Sequence, residues 1–232
     1  MRKKNYPATI LIVILLALAI NFSSAQTVAE LQNLLNEGVA CYNAEKYWDA
    51  QQIFQTINSA PIAENPFLTT SALMLIKTNY RLGEAERSLV LAREFLNNYP
   101  DSRYIKEVKV TLAEALLSLG KYPATLNLYL DLLENYSDPE TQAICEDHLD
   151  KIIDFYLDVE AVKAVRDSSA RNFPRQYLTL KIAEQYHAAG NSKLAQSELR
   201  NLPNRLENRY LRERLQETET RLKKEPVARK YI

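Results

Sequence analysis

A chain of 232 residues with 47% hydrophobic and 25% charged side chains has the balance of a folded domain, which excludes wholesale disorder. Its 29 basic and 29 acidic side chains cancel, which argues against the strongly basic surface that nucleic acid demands. Only four glycines occur and no apolar–polar alternation is sustained, so helices joined by short turns are expected and a β-sheet is not.

The N-terminus carries Arg2, Lys3 and Lys4, an apolar run from Ala8 to Ile20, and then the small residues Ser23, Ser24 and Ala25. This order predicts a secretory signal over residues 1–25, cleaved after Ala25, because the apolar run is shorter than the roughly 20 residues a membrane span requires. An uncleaved anchor is the alternative. Removal of the segment takes away three basic side chains and leaves a mature chain of net charge −3. The expected location is therefore outside the cytoplasm, in the periplasm of a bacterial envelope, with no stable membrane span after cleavage.

Thr27 and Glu30 have the spacing of a capping box, predicting a helix start there. The following segment places Gly38, Tyr42, Tyr47, Ala50 and Phe54 at intervals that suit two helices packed closely, with Gly38 and Ala50 as the points of approach. Asn65-Pro66 breaks the chain before a second segment containing Tyr80, Gly83, Ser88, Phe95 and Pro100. A third holds Ala113, Leu117, Gly120, Tyr122, Thr125, Tyr129 and Leu132, with Asp101 as a candidate cap and Pro123 in the first turn of its second helix.

Ser137 or Asp138, followed by Pro139, can start a fourth segment around Ile152, Tyr156 and Ala164, which has no turn glycine. Its first helix has an apolar stripe, Cys145, Leu149, Ile152 and Tyr156, that must be buried. Pro174 marks the break before a fifth segment with Ala183, Tyr186, Gly190, Ala195 and Leu199. Gly83, Gly120 and Gly190 each end a helical pattern, and the steps of 37 and then 70 residues give a unit of about 35.

These residues and this period resemble the tetratricopeptide repeat family over residues 28–202. The resemblance implies an all-α, right-handed α-solenoid of about five helix-turn-helix repeats, a repeat domain over residues 26–202, and non-catalytic binding of a protein or peptide partner. Residues 203–225 are expected to form a charged C-terminal capping helix, with Leu211, Leu215 and Leu222 on the packed side; a coiled-coil seam is the alternative. The tail 226–232 ends in Lys230-Tyr231-Ile232, which resembles the stretch that precedes a periplasmic ligand-binding domain of the branched-chain amino acid type. A truncated solute-binding or cell-wall-enzyme-activating protein is thus the second functional expectation.

Mapping the family's groove positions onto the first helix of each unit implies a partner site made of Tyr42, Asn43, Lys77, Tyr80, Arg81, Glu114, Glu184 and His187. Lys77 and Arg81 lie one helical turn apart and can grip a carboxylate or phosphate. Alternatively, Tyr42 and Tyr80 fill gaps between repeats while the two cations are merely solvated. Trp48 is expected on the outer side of a second helix, where it can anchor a partner or pack locally.

No catalytic, cofactor or metal site is expected. Cys145 and His148 have the offset of half a zinc site without a second half. Cys41 and Cys145 lie too far apart along a solenoid to pair, so buried free thiols are expected. Asp147, Asp150, Asp154 and Asp158 recur at helical spacing and predict one acidic face of the fourth unit's first helix, solvated or open to a cation.

Overall fold

The computed structural model describes residues 27–60 and 65–223; the expected signal segment, with its expected cleavage after Ala25, and the expected tail 226–232 lie outside the described residues. Eleven α-helices follow one another: α1 (Val28–Asn43), α2 (Tyr47–Asn58), α3 (Leu68–Arg81), α4 (Ala85–Asn98), α5 (Ile105–Ser118), α6 (Tyr122–Asn135), α7 (Pro139–Lys151), α8 (Val159–Ser168), α9 (Asn172–Ala188), α10 (Ser192–Leu199) and α11 (Arg209–Leu222). A single turn of π-helix, Ile152–Tyr156, runs on from α7. There is no strand among the described residues.

Each helix from α1 to α6 packs on the next, and first helices also touch in series, α1 with α3 and α3 with α5. This is the neighbour-to-neighbour packing of a helical solenoid. The interior runs in three stretches. The first gathers Leu31, Ala50, Phe54 and Ile57, the second Ile76, Ala92, Phe95 and Val108, and the third extends from Ala113 through Leu126, Leu149 and Tyr177 to Leu211.

Local chemistry sets the boundaries. The Thr27 hydroxyl accepts from the Glu30 amide at 3.2 Å while the Glu30 carboxylate accepts from the Thr27 amide at 2.8 Å, completing the expected capping box. Asp138, not Ser137, caps α7 by accepting from the Thr141 amide at 3.0 Å. Asp101 does not cap α5, whose preceding residue Tyr104 makes no side-chain cap. Pro174 falls inside the first turn of α9, so the break comes earlier, at Arg171.

Gly83, Gly120 and Gly190 each take positive φ, 79°, 67° and 80°, at the turn between paired helices. There the 6→1 and 5→2 bonds of a Schellman close have formed, as from Glu84 N–H to Asn79 O at 2.9 Å and from Gly83 N–H to Tyr80 O at 3.0 Å. The first unit makes the same turn with Glu45, at φ 59°, and Lys46 N–H donates to Cys41 O at 2.9 Å. At the other close approach, a Cβ on Gly38 would stand 2.7 Å from Cε1 of the buried Phe54, so only glycine lets α1 lie so near α2.

The fourth unit departs from this scheme for a physical reason. Its first helix ends by widening into the π turn, where Leu157 N–H donates to Ile152 O at 3.1 Å, and the chain leaves extended at Leu157. The freed Ile153 carbonyl accepts from Gln185 Nε2 of α9 at 2.8 Å. As a result α8 has α6 and α9 as its main neighbours, and α9 reaches back onto α6.

Cys145, Leu149 and Ile152 of the expected stripe are fully buried, whereas the π turn rotates Tyr156 outward to stack on Tyr122 at 4.5 Å. The expected acidic face breaks up in the same way. Asp147 pairs with Lys151, Asp150 with Lys181, Asp154 sits in the π turn, and Asp158 caps α8 through the Ala161 amide.

Candidate partner-binding recess

The first helices of four successive units open on one recess of about 320 Å³. Tyr42 enters from the end of α1, Lys77, Tyr80 and Arg81 from α3, Glu114 from α5, and Thr141 and Ile144 from α7. Five of the eight residues expected in the groove thus converge. They do so because Lys77 precedes Gly83 by six residues and Glu114 precedes Gly120 by six, so both occupy the same register point of stacked helices.

Val110 and Ile144 supply an apolar patch, and the polar groups divide by charge around it. Lys106 is engaged by Asp138 at 3.3 Å, which leaves Lys77 and the exposed Arg81 as the cations facing the recess. The Tyr42 hydroxyl beside Arg81 holds the guanidinium firmly charged. Glu114 is partly buried, and burial pushes its carboxyl above the ordinary range, outweighing the opposing pull of Arg81 and Lys77. Burial likewise raises the Tyr80 hydroxyl, with Glu114 adding to it. Tyr80 is therefore a neutral donor at physiological pH.

The other three expected residues do not join them. Asn43 is exposed at the end of α1 and stays out of the recess lining. Glu184 stands six residues before Gly190, the register point of Glu114, but α11 covers it. Its carboxylate accepts from the Thr218 hydroxyl at 2.8 Å and lies within ion-pair reach of Lys181 at 3.1 Å, Arg214 at 3.7 Å and Arg221 at 3.5 Å. Burial alone would raise this carboxyl, yet these cations and the hydroxyl hold it below its ordinary range. His187 is buried and does not line this recess.

Residue patterning did not single out Val110, Thr111, Thr141 or Ile144, nor the charged Lys106, Glu107 and Glu140, which together complete the lining. Their signal was present in the sequence, since Val110, Thr111 and Glu114 recur at helical spacing on one side of α5. The α7 contribution needed the fold, because the fourth unit has no turn glycine to set its register.

Elsewhere, Trp48 is 61% exposed at the start of α2, as expected for an outward position. Cys41 and Cys145 are unbonded thiols, and burial pushes Cys145 up to about 12, leaving it unreactive at neutral pH. His148 stacks on the ring of Tyr129 at 4.8 Å, and burial lowers its pKa. No cluster of three metal-ligating side chains occurs among the described residues, and none of the described helices is long and apolar enough to cross a membrane. No model of a known protein family, no curated protein and no solved structure matches the chain.

Proposed function

We propose that this chain is a non-catalytic binding scaffold of the tetratricopeptide kind, exported to the bacterial cell envelope, and that the recess across α1, α3, α5 and α7 grips an extended segment of a partner protein. The observation that carries this reading is the convergence of Tyr42, Lys77, Tyr80, Arg81 and Glu114 from three helices on one volume.

The chemistry of the recess specifies what fits. An acidic side chain or carboxylate is drawn to Lys77 and Arg81, an apolar side chain rests on Val110 and Ile144, and a peptide N–H donates to Glu114. Among the described residues nothing donates a hydrogen bond to that carboxylate. A ligand donor would thus restore solvation that burial has removed. A recess of about 320 Å³ suits one or two anchoring side chains of a longer strand of partner.

The test is recovery of partners from envelope extracts with wild-type chain and with Lys77→Ala plus Arg81→Ala. The double variant is expected to lose most of a partner set that wild type retains, and to do so without change in helical content. Equal recovery by both proteins sinks the recess as the binding site.

A further inference from the structure

A second candidate surface lies at the far end of the same row of helices, and the chain's own last helix occupies it. The side of α9 that carries Lys181 and Glu184, with Asp150 and Glu146 of α7 beside it, is the register counterpart of the open recess on α5. α11 crosses this surface in two unlike halves. Its first turn is anchored in the interior by Leu211, which is 0% exposed, together with Leu206 of the preceding loop.

Beyond that turn, Leu215 packs at the edge of the core, Arg214 and Thr218 are buried, and the half-exposed Arg221 reaches Glu184 from the rim. Arg214, Thr218 and Arg221 meet Glu184 by the contacts already given, and Arg214 lies 3.9 Å from Asp150. Arg214 is almost fully buried, and its Nε has no hydrogen-bond partner; neither does the buried hydroxyl of Tyr177 in α9 below it. Leaving buried polar atoms unpartnered costs about 1–3 kcal/mol each, so this half of the seam is held by charge and fits imperfectly.

We infer that the Asp150–Glu184 surface is a second partner site, shut by the Arg214–Arg221 half of α11 acting as an internal ligand. Its external ligand is a helix carrying arginine, then threonine or serine four residues on, then arginine three further on. Such a helix reproduces the stripe Arg214, Thr218 and Arg221 and replaces it by competition. The site is distinct from the Lys77–Arg81 recess and does not depend on it.

The experiment uses the full chain with Arg214→Gln plus Arg221→Gln, which keeps the Leu206 and Leu211 anchor. Amide exchange over residues 215–222 is expected to accelerate by about tenfold or more while α9 keeps its protection. A fluorescent peptide of residues 209–223 should then bind this variant about tenfold tighter than wild type, and a third change, Glu184→Gln, should abolish the gain. Loss of protection in α9 together with α11, or peptide binding indifferent to Glu184, overturns the inference.

Should the double variant lose the helical content of wild type, wild type compared at about 50 mM and about 500 mM NaCl replaces it, because salt weakens the ionic half and spares the leucines. Selective acceleration in 215–222 at high salt supports the site, and unchanged or global exchange refutes it. Lys77→Ala plus Arg81→Ala serves as the control. Its loss of extract partners bears on the recess alone, and its α11 exchange is expected to match wild type.

Discussion

Two carboxylates at the same register point have opposite titration behaviour, and the difference is a matter of neighbours. Glu114 has its pKa raised by burial, so its charged form opposes folding; its contribution is intact below the ordinary carboxyl pKa and is lost as pH rises through the elevated value. Glu114→Gln should therefore melt higher than wild type at pH 7, with the two curves converging toward pH 4. Glu184 has its pKa lowered, so its contribution is present above the ordinary value and is lost as pH falls through the depressed one. Acid should release the second half of α11 before the interior yields, which amide exchange across a pH series would register.

Backbone positions allow equally direct tests. A non-glycine residue in the left-handed region costs about 1–2 kcal/mol, and glycine returns about 0.5–1 kcal/mol of that through the unfolded chain. Glu45→Gly is thus expected to stabilise by about 0.5 kcal/mol in thermal melts. Gly38→Ala should do the reverse. Its helix propensity gain of about 1 kcal/mol is outweighed by about 1–3 kcal/mol of overpacking against a Phe54 ring with no room to retreat.

Among the elements, the fourth unit separates what was legible from what was not. The glycine turns announced themselves because φ near +70° is open to few other residues, and Tyr80, Leu117 and His187 fall three residues before them. Glu45 concealed the first such turn. The π turn left no compositional trace, since Ile152–Tyr156 has an ordinary helical pattern and only its hydrogen bonds show the widening. A constant 100° per residue carries the stripe as far as the buried Ile152 but not to Tyr156 at the end of the widening, and it carries the row of aspartates on to Asp158, which lies outside that helix. Asp158 then starts α8 afresh, and Asp158→Ala should cost about 1 kcal/mol in chemical denaturation by removing the cap.

The partner residues followed the same rule. Lys77, Tyr80, Arg81 and Glu114 were legible because glycine-set registers carry them to one side, and Tyr42 through the resemblance alone. Glu184 shared the register and was still misjudged, because occupancy by α11 depends on how a polar helix folds back. Leu211, Leu215 and Leu222 foretold a packed side, but the inward positions include Arg214 and Thr218, which pattern reading assigns to water.

Across the whole molecule, the interior falls into three stretches linked through neighbours. A solenoid of this kind has stability that is a sum of unit and interface terms, so its ends can open separately. The single tryptophan, Trp48, sits in the first hairpin, far along the row from α11. Its emission will follow the opening of α1 from α2 and will be blind to events at the other end, whereas far-ultraviolet dichroism weighs every helix alike. In urea the two signals should have different midpoints, and lowering the first hairpin's stability through Gly38→Ala should drive them further apart. The placement of one indole thereby turns an ordinary fluorimeter into a gauge of how much of this rod melts as a unit.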